Sequence, residues 1–231
     1  REDEKKSWGQ GLELWLKDGD EAFVTILATG KDGVEEDNLF DTFFTHSFTS
    51  GSGWGNAICE PTTFKDPSKS CQYCDKKSKP SRRFGLWTWV YYITHSEQKN
   101  EDWKAVKGPL GTRYREDVGE ARVFSRGFGN KDTLWNQVVE VYQSSGALNK
   151  NVVKIKRTGS GRDDTSYLIV TSTSESKLPK EALEKVNDLS PIRQYFINKF
   201  GPADNEVTKL NSSKKDNSET SLFDNEDDNP F

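Results

Sequence analysis

The 231-residue sequence has no methionine, three cysteines and two histidines, and only 32% of it is apolar. No apolar run is long enough to cross a bilayer as a helix, so no membrane partner is expected. The charged opening Arg1-Glu2-Asp3-Glu4-Lys5-Lys6 lacks the apolar stretch of a signal peptide, and a start at Arg1 without Met suggests a processed or trimmed N-terminus. An odd number of cysteines does not suit a disulfide framework, so a reducing cytoplasm is expected. No carboxylate pair or Ser/His/Asp set stands out as a catalytic centre. Gly159-Ser160-Gly161 is not followed by Gly-Lys-Ser/Thr and no helix is expected to open there, so NTP binding is not expected, and no small-molecule substrate is expected either.

Aromatic residues, by contrast, are plentiful. Seven Trp, seven Tyr and 13 Phe exceed what so modest a core needs, so some rings are expected on a binding surface. Charge is segregated. Residues 201–231 hold eight acids and three bases, leaving 30 bases and 29 acids in residues 1–200. A near-neutral body with local basic clusters and an acidic end suggests a polyanion-binding body with an acidic tail.

All three cysteines and one histidine fall into one array, His46-x12-Cys59-x11-Cys71-x2-Cys74. Three thiolates and an imidazole are the ligand types and number of a closed tetrahedral zinc site, and a closed site leaves no position for catalysis. One structural Zn2+ is therefore expected, ordering the Gly-, Ser-, Pro- and Lys-rich stretch 49–83, which has no hydrophobic period of its own. His95 is the rival imidazole and ends a strand. A redox Cys-x-x-Cys would open a helix after a strand, whereas Cys71 and Cys74 read as part of a loop. A zinc deaminase would need His-x-Glu and Pro-Cys, where this chain has His46-Ser47-Phe48 and Ser70-Cys71.

Lys76, Lys77, Lys79, Arg82 and Arg83 follow directly and lead into Phe84-Gly85-Leu86-Trp87-Thr88-Trp89-Val90-Tyr91-Tyr92. In a strand Trp87, Trp89 and Tyr91 share one face, with Leu86, Val90 and Tyr92 on the other. Rings beside cations make a platform for unpaired nucleic acid, at roughly 1–3 kcal/mol per stacked base. The competing reading places these rings in the core. Similar mixtures recur in Arg113-Tyr114-Arg115, in Arg122-Val123-Phe124-Ser125-Arg126-Gly127-Phe128, and in Lys154-Ile155-Lys156-Arg157 with Arg162.

Strands are expected at 12–16, 22–28, 39–48, 84–94, 121–128, 152–157 and 166–171, with an acidic loop at 30–38 and a polar connection at 96–120. A helix is expected from Asp132, its N-cap, to about Gln143, stopped at Gly146, and two short helices over 179–186 and 191–200. This reads as a mainly β chain with minor α. A small OB-fold barrel of five strands would occupy 1–200, with a zinc subdomain inserted at about 44–83 and a disordered acidic tail at 201–231.

These residues resemble the single-stranded DNA-binding (helix-destabilising) proteins of T-even and related tailed bacteriophages. Their ligand pattern is His-x12-Cys-x9-Cys-x2-Cys, two residues shorter in the middle spacing. The similarity extends through the Trp87 strand, Val123-Phe124-x-x-x-Phe128-Gly129-x-Lys131, Trp135 and Val153-Lys154-Ile155-Lys156 with Ser160-Gly161, over about residues 8–200. It implies an OB-fold core with an inserted zinc subdomain and a cleft that holds single-stranded DNA through its backbone. By position it points to the 79–83 run, Trp87, Arg126, Phe128 and Arg162. It also favours His46 over His95 as ligand. The family's basic N-terminal arm is expected to be absent or lost, since the sequence starts with Arg1-Glu2-Asp3-Glu4, and some expected aromatic positions are Leu86, Arg126 or Arg162. The chain end, with Asp227, Asp228, Pro230 and Phe231, resembles the tip of bacterial single-stranded DNA-binding proteins, which docks replication and repair partners. The expectation is a non-catalytic DNA-coating protein of phage replication, recombination and repair in the cytoplasm of an infected bacterium, with replication and recombination proteins recruited by the tail. The alternatives are a zinc-ribbon RNA-binding regulator and an adaptor that binds no nucleic acid.

Overall fold

The computed structural model describes residues 12–28, 39–50, 53–108, 111–128, 133–160 and 164–200. The acidic loop, Asp132, Arg162 and the 201–231 tail named above lie outside the described residues. Among the described residues the fold is one antiparallel sheet of eight strands: β1 (Glu21–Ile26), β2 (Phe40–Ser50), β3 (Gly53–Ile58), β4 (Ser81–His95), β5 (Lys104–Gly108), β6 (Gly111–Gly127), β7 (Asn151–Thr158) and β8 (Ser166–Glu175).

The 15-residue β4 organises the sheet. One of its edges pairs with β6 from Arg83↔Gly127 to His95↔Tyr114. The other is shared end to end, by β2 at residues 81–86 and by β1 at residues 88–94. From there the sheet continues through β7 to β8 on one side and through β2 to β3 on the other, with β5 on β6. Strand pairing leaves the sheet open. Among the described residues no ladder closes it into the expected five-stranded barrel.

Burial explains why β4 sits at the centre. Phe84, Leu86 and Val90 face a core with Leu14, Val24, Ile26, Phe40, Phe124 and Ile155. That core is capped by α3 (Thr133–Ser145), whose Val138 and Val141 are buried and whose Leu134, Trp135 and Tyr142 pack against it. Gly146 ends α3 at φ 75°, its N–H donating to Tyr142 O at 2.8 Å, so the expected stop is met by a residue that takes the left-handed conformation without a Cβ clash.

On the opposite face Trp87 and Trp89 pack against α4 (Lys180–Val186) and α5 (Ile192–Phe200), through Ala182, Ile192, Tyr195 and Phe196. A Cβ on Gly85 would come within 2.5 Å of the Phe196 ring, so glycine lets α5 lie directly on the strand. Each such buried ring contributes about 1.5–3 kcal/mol relative to exposure.

Two stretches depart from the sequence expectations. Residues 12–16 form a single bridge rather than a strand: Leu14 N donates to Val123 O and Val123 N to Leu12 O, at 2.9 and 2.6 Å. Further along the same segment, Gly19 N donates to Arg157 O and Arg157 N to Asp20 O, each at 3.0 Å, so this lead-in spans from β6 to β7. The expected polar connection at 96–120 is instead largely the hairpin of β5 and the first part of β6. Its strands carry charged rather than alternating apolar residues because β5 is exposed throughout, so no hydrophobic period marks it. No helix among the described residues is long and apolar enough to cross a membrane.

Candidate metal centre and nucleic-acid interface

The excursion between β2 and β4 carries β3, α1 (Glu60–Phe64) and α2 (Gln72–Asp75). His46 comes from β2, Cys59 from the N-cap of α1, Cys71 from the N-cap of α2 and Cys74 from within it. The ligand atoms all lie within 4.8 Å of one another. Cys59 Sγ and Cys74 Sγ are 3.5 Å apart, and Cys74 Sγ is 3.4 Å from His46 Nε2. A tetrahedral ion with Zn–S of about 2.3 Å would space two sulfurs by about 3.8 Å and sulfur from nitrogen by about 3.5 Å. The donors are thus spaced to hold one metal ion. The left-handed conformations of Lys65 and Lys77 turn the chain after each short helix. Cys71 therefore does head a helix, contrary to the loop expected. That helix is only four residues long, and its sulfur shares a site with two others rather than standing beside one.

Burial and outer partners suit a metal centre. His46, Cys59 and Cys71 are buried. Burial lowers the His46 pKa, favouring the neutral imidazole that binds metal. Its Nδ1 is 3.1 Å from Ser78 Oγ, which orients the ring so that Nε2 faces the sulfurs. Thr62 Oγ1 lies 3.2 Å from Cys59 Sγ, placed for the hydroxyl to donate to a thiolate. Tyr73 stacks between His46 and Phe48, with centroids at 5.4 and 5.2 Å. Burial first, and then the neighbouring Cys59 and Cys71 sulfurs, push the Cys74 thiol up to about 12. Three sulfurs this close resist ionising together unless a cation joins them, and a bound dication reverses that cost.

Of the rings expected to stack on bases, several are unavailable. Trp87 and Trp89 are 2% and 3% exposed, because α4 and α5 cover the face they share, and Trp87 Nε1 donates to Ser190 O. Tyr91 has its hydroxyl 3.0 Å from Thr25 Oγ1 and 3.4 Å from Ser176 Oγ. Phe124 is fully buried in the main core. The alternation was read correctly, but both faces of β4 are inward. Phe128 is half-buried beneath the Arg82 guanidinium, 4.3 Å away.

Many of the expected cations are also committed. Arg115 pairs with Asp117 and lies over Tyr92, and Arg122 pairs with Glu120. Lys154 and Lys156 flank Glu21, at 3.9 and 3.6 Å. Arg113 donates to the Gly19 and Thr94 carbonyls, and Tyr114 lies opposite His95 in the β4–β6 ladder. His95 lies outside the His46 cluster. It bridges Asp20 and Glu116 and stacks on Trp103. Lys76, Lys77, Lys79 and Arg82 are exposed.

A different group comes together around Arg83 and Arg126. Burial works first against the charged forms of both; the Arg126 charge adds to it at Arg83, while at Arg126 Tyr167 and Glu13 act the other way and Arg157 adds a like charge. Arginine nevertheless stays protonated at neutral pH. The Nε atoms of all three are buried without a hydrogen-bond partner among the described residues. Among the described residues Glu13 is the carboxylate that opposes the charge at Arg83 and Arg126, and it is itself bound to Lys199 at 2.5 Å. Arg126 also lies 4.1 Å over the Tyr167 ring, to whose hydroxyl it donates, and 6.0 Å from the ring of Trp15, which is 64% exposed.

Of this group, the sequence expectations included Arg83 and Arg126 but missed Trp15 and Tyr167. The signal for Trp15 was present. In Leu12-Glu13-Leu14-Trp15-Leu16 it shares parity with Glu13, while Leu14 and Leu16 are buried.

No protein-family model matches the sequence, and a search of curated proteins finds no match.

Proposed function

We propose that the protein binds single-stranded DNA without catalysis and without strong sequence preference, and that a structural zinc ion at His46, Cys59, Cys71 and Cys74 holds the arm beside an OB-type core. The observation that carries this reading is the Arg83, Arg126 and Arg157 group beside the exposed Trp15. Among the described residues, three guanidiniums share a half-buried place in which Glu13 is the carboxylate acting on Arg83 and Arg126, an arrangement that suits a chain of phosphates. An exposed indole over such a group suits an unpaired base and is wasted on a duplex, whose bases are already stacked. The exposed Lys76, Lys77 and Lys79 extend the positive surface onto the metal-bearing arm. The resemblance to phage helix-destabilising proteins supports a role in replication, recombination and repair inside an infected bacterium, with Asp227, Asp228, Pro230 and Phe231 recruiting partner proteins.

Filter retention of oligo(dT) by the native chain tests the reading. Retention is expected, with log affinity falling against log salt by about 0.7 per phosphate contact. Arg126→Ala should weaken binding and flatten that slope, and an equal length of RNA should compete less well. Absence of retention at low salt would leave the adaptor reading. A clear preference for RNA would favour the RNA-binding regulator.

A further inference from the structure

A cleft of about 690 Å³ opens where the 12–20 lead-in meets the end of β4 and the turn before β5, and Trp15, Trp103, His95 and Arg157 line it. That volume falls within the ~300–1,000 Å³ of sites that bind small organic groups. Trp103 is fixed as a flat surface: its ring stacks on His95 at 3.9 Å and 8° between planes. His95 is in turn pinned, with Nδ1 3.2 Å from Asp20 Oδ2 and Nε2 3.1 Å from Glu116 Oε2. The ring is thus held in place before any ligand arrives, which lowers the entropy cost of stacking on it.

The polar groups of the cleft argue against a phosphate. Among the described residues Asp18, Asp20 and Glu97 line it together with Lys17, Lys99 and Arg157, so the acids match the bases there. Asp18 accepts from the Gly159 amide and Asp20 from the Lys17 amide, so these carboxylates are built into the wall. Arg157 belongs to both places. It lines the cleft, and its charge also acts on Arg126 in the arginine group. A nucleotide has the same two-part character, a charged phosphate joined to a flat neutral base.

We propose that this cleft takes one unpaired nucleobase of a strand whose phosphates lie on Arg83, Arg126 and Arg157, with the base stacking on Trp103 and entering past Trp15. This rests on the single-stranded DNA reading and adds to it a base-holding pocket built by the β4–β5 connection.

The test uses the full chain with Trp103→Ala and Trp15→Ala, and two probes of equal length: oligo(dT) and a chain of abasic deoxyribose phosphates. Trp103→Ala should weaken oligo(dT) binding by about 5- to 150-fold, the equivalent of ~1–3 kcal/mol for one stacked base, with an unchanged salt slope. Trp15→Ala removes an exposed ring with little effect on folding and should lose affinity in the same direction. Neither change should alter binding of the abasic chain by more than twofold. Native-level oligo(dT) binding by both variants would overturn the base pocket while leaving the DNA-binding reading intact, and so would an equal loss on both probes. Failure of the native chain to bind either probe would remove both together.

Discussion

The sheet and the arm between β2 and β4 are ordered by different means. In the sheet, apolar side chains from both faces of β4 fill two cores, each capped by helices. Among the described residues, the buried apolar cluster of the arm is Ala57, Cys59 and Cys71, with Phe44, Phe48 and Tyr73 packed against it, and two of its three buried members are candidate metal ligands. One region is held by area removed from water; the other has a small buried cluster and gathers four donor atoms spaced to hold one metal ion. The comparison teaches that a chain with few apolar residues places its scarce sulfurs together in the one long polar excursion where its apolar packing is thinnest.

The largest expected effect follows from removing the metal. Structural zinc sites contribute on the order of 10–16 kcal/mol in small zinc domains. Chelation, or Cys71→Ser, should release one zinc ion per chain and open residues 59–80 to protease, while the β signal in circular dichroism persists. Elemental analysis and limited proteolysis read this directly. An arm that stays protease-resistant with no metal bound would show that it, like the sheet, is held by packing.

The converse change belongs to the sheet. Phe196 is fully buried, stacks on Phe43 at 4.2 Å and lies across Gly85. Phe196→Ala should cost about 3–5 kcal/mol by the cavity it leaves, measured by denaturant unfolding. Trp fluorescence should shift to the red as Trp87 and Trp89 meet water, and zinc content should not change. A loss of zinc along with the sheet would mean that the two regions unfold as one.

The contrast also explains what the sequence reveals. Most strands that form the cores are legible, because an alternating pattern survives wherever one face is inward, and Gly146 stops its helix where a left-handed residue is needed. The candidate metal ligands are legible for the opposite reason: cysteine is so rare here that its clustering is itself a signal. The fate of Trp87 and Trp89 is not legible. Alternation along 84–91 says that the two rings share a face but not that α4 and α5, about 90 residues later, return to cover it. The arginine group escapes for a related reason, since Arg83, Arg126 and Arg157 are separated in sequence and meet only through strand pairing and the 12–20 lead-in.

A smaller effect probes the arm from its outer partners. Ser78→Ala removes the hydroxyl beside His46 Nδ1 without touching a ligand atom. Loss of such a partner typically lowers metal affinity 10- to 100-fold. Competition with a chromogenic chelator should show that loss, with the unfolding midpoint of the sheet unchanged. Equal affinity in the two proteins would mean that burial alone orients the imidazole.

The smallest expected effect lies at the seam between the two regions. Arg193 of α5 donates to Asp41 Oδ1 of β2 at 2.7 Å, and its guanidinium lies 5.6 Å from the Phe64 ring of α1. Core helix, sheet and arm therefore meet at one side chain. The ion pair is partly open to water, its side chains 33% and 20% exposed, so screening and side-chain entropy limit it to about 0–1 kcal/mol. A double-mutant cycle with Arg193→Ala and Asp41→Ala should give a coupling within that range, read from urea unfolding, with zinc retained in every variant. If the seam is this weak, the arm can lose its metal without pulling α5 from β4, and the two regions remain separable. A coupling well above that range, or zinc lost from either single variant, would show that packing and coordination support one another, and the contrast between the regions would no longer hold.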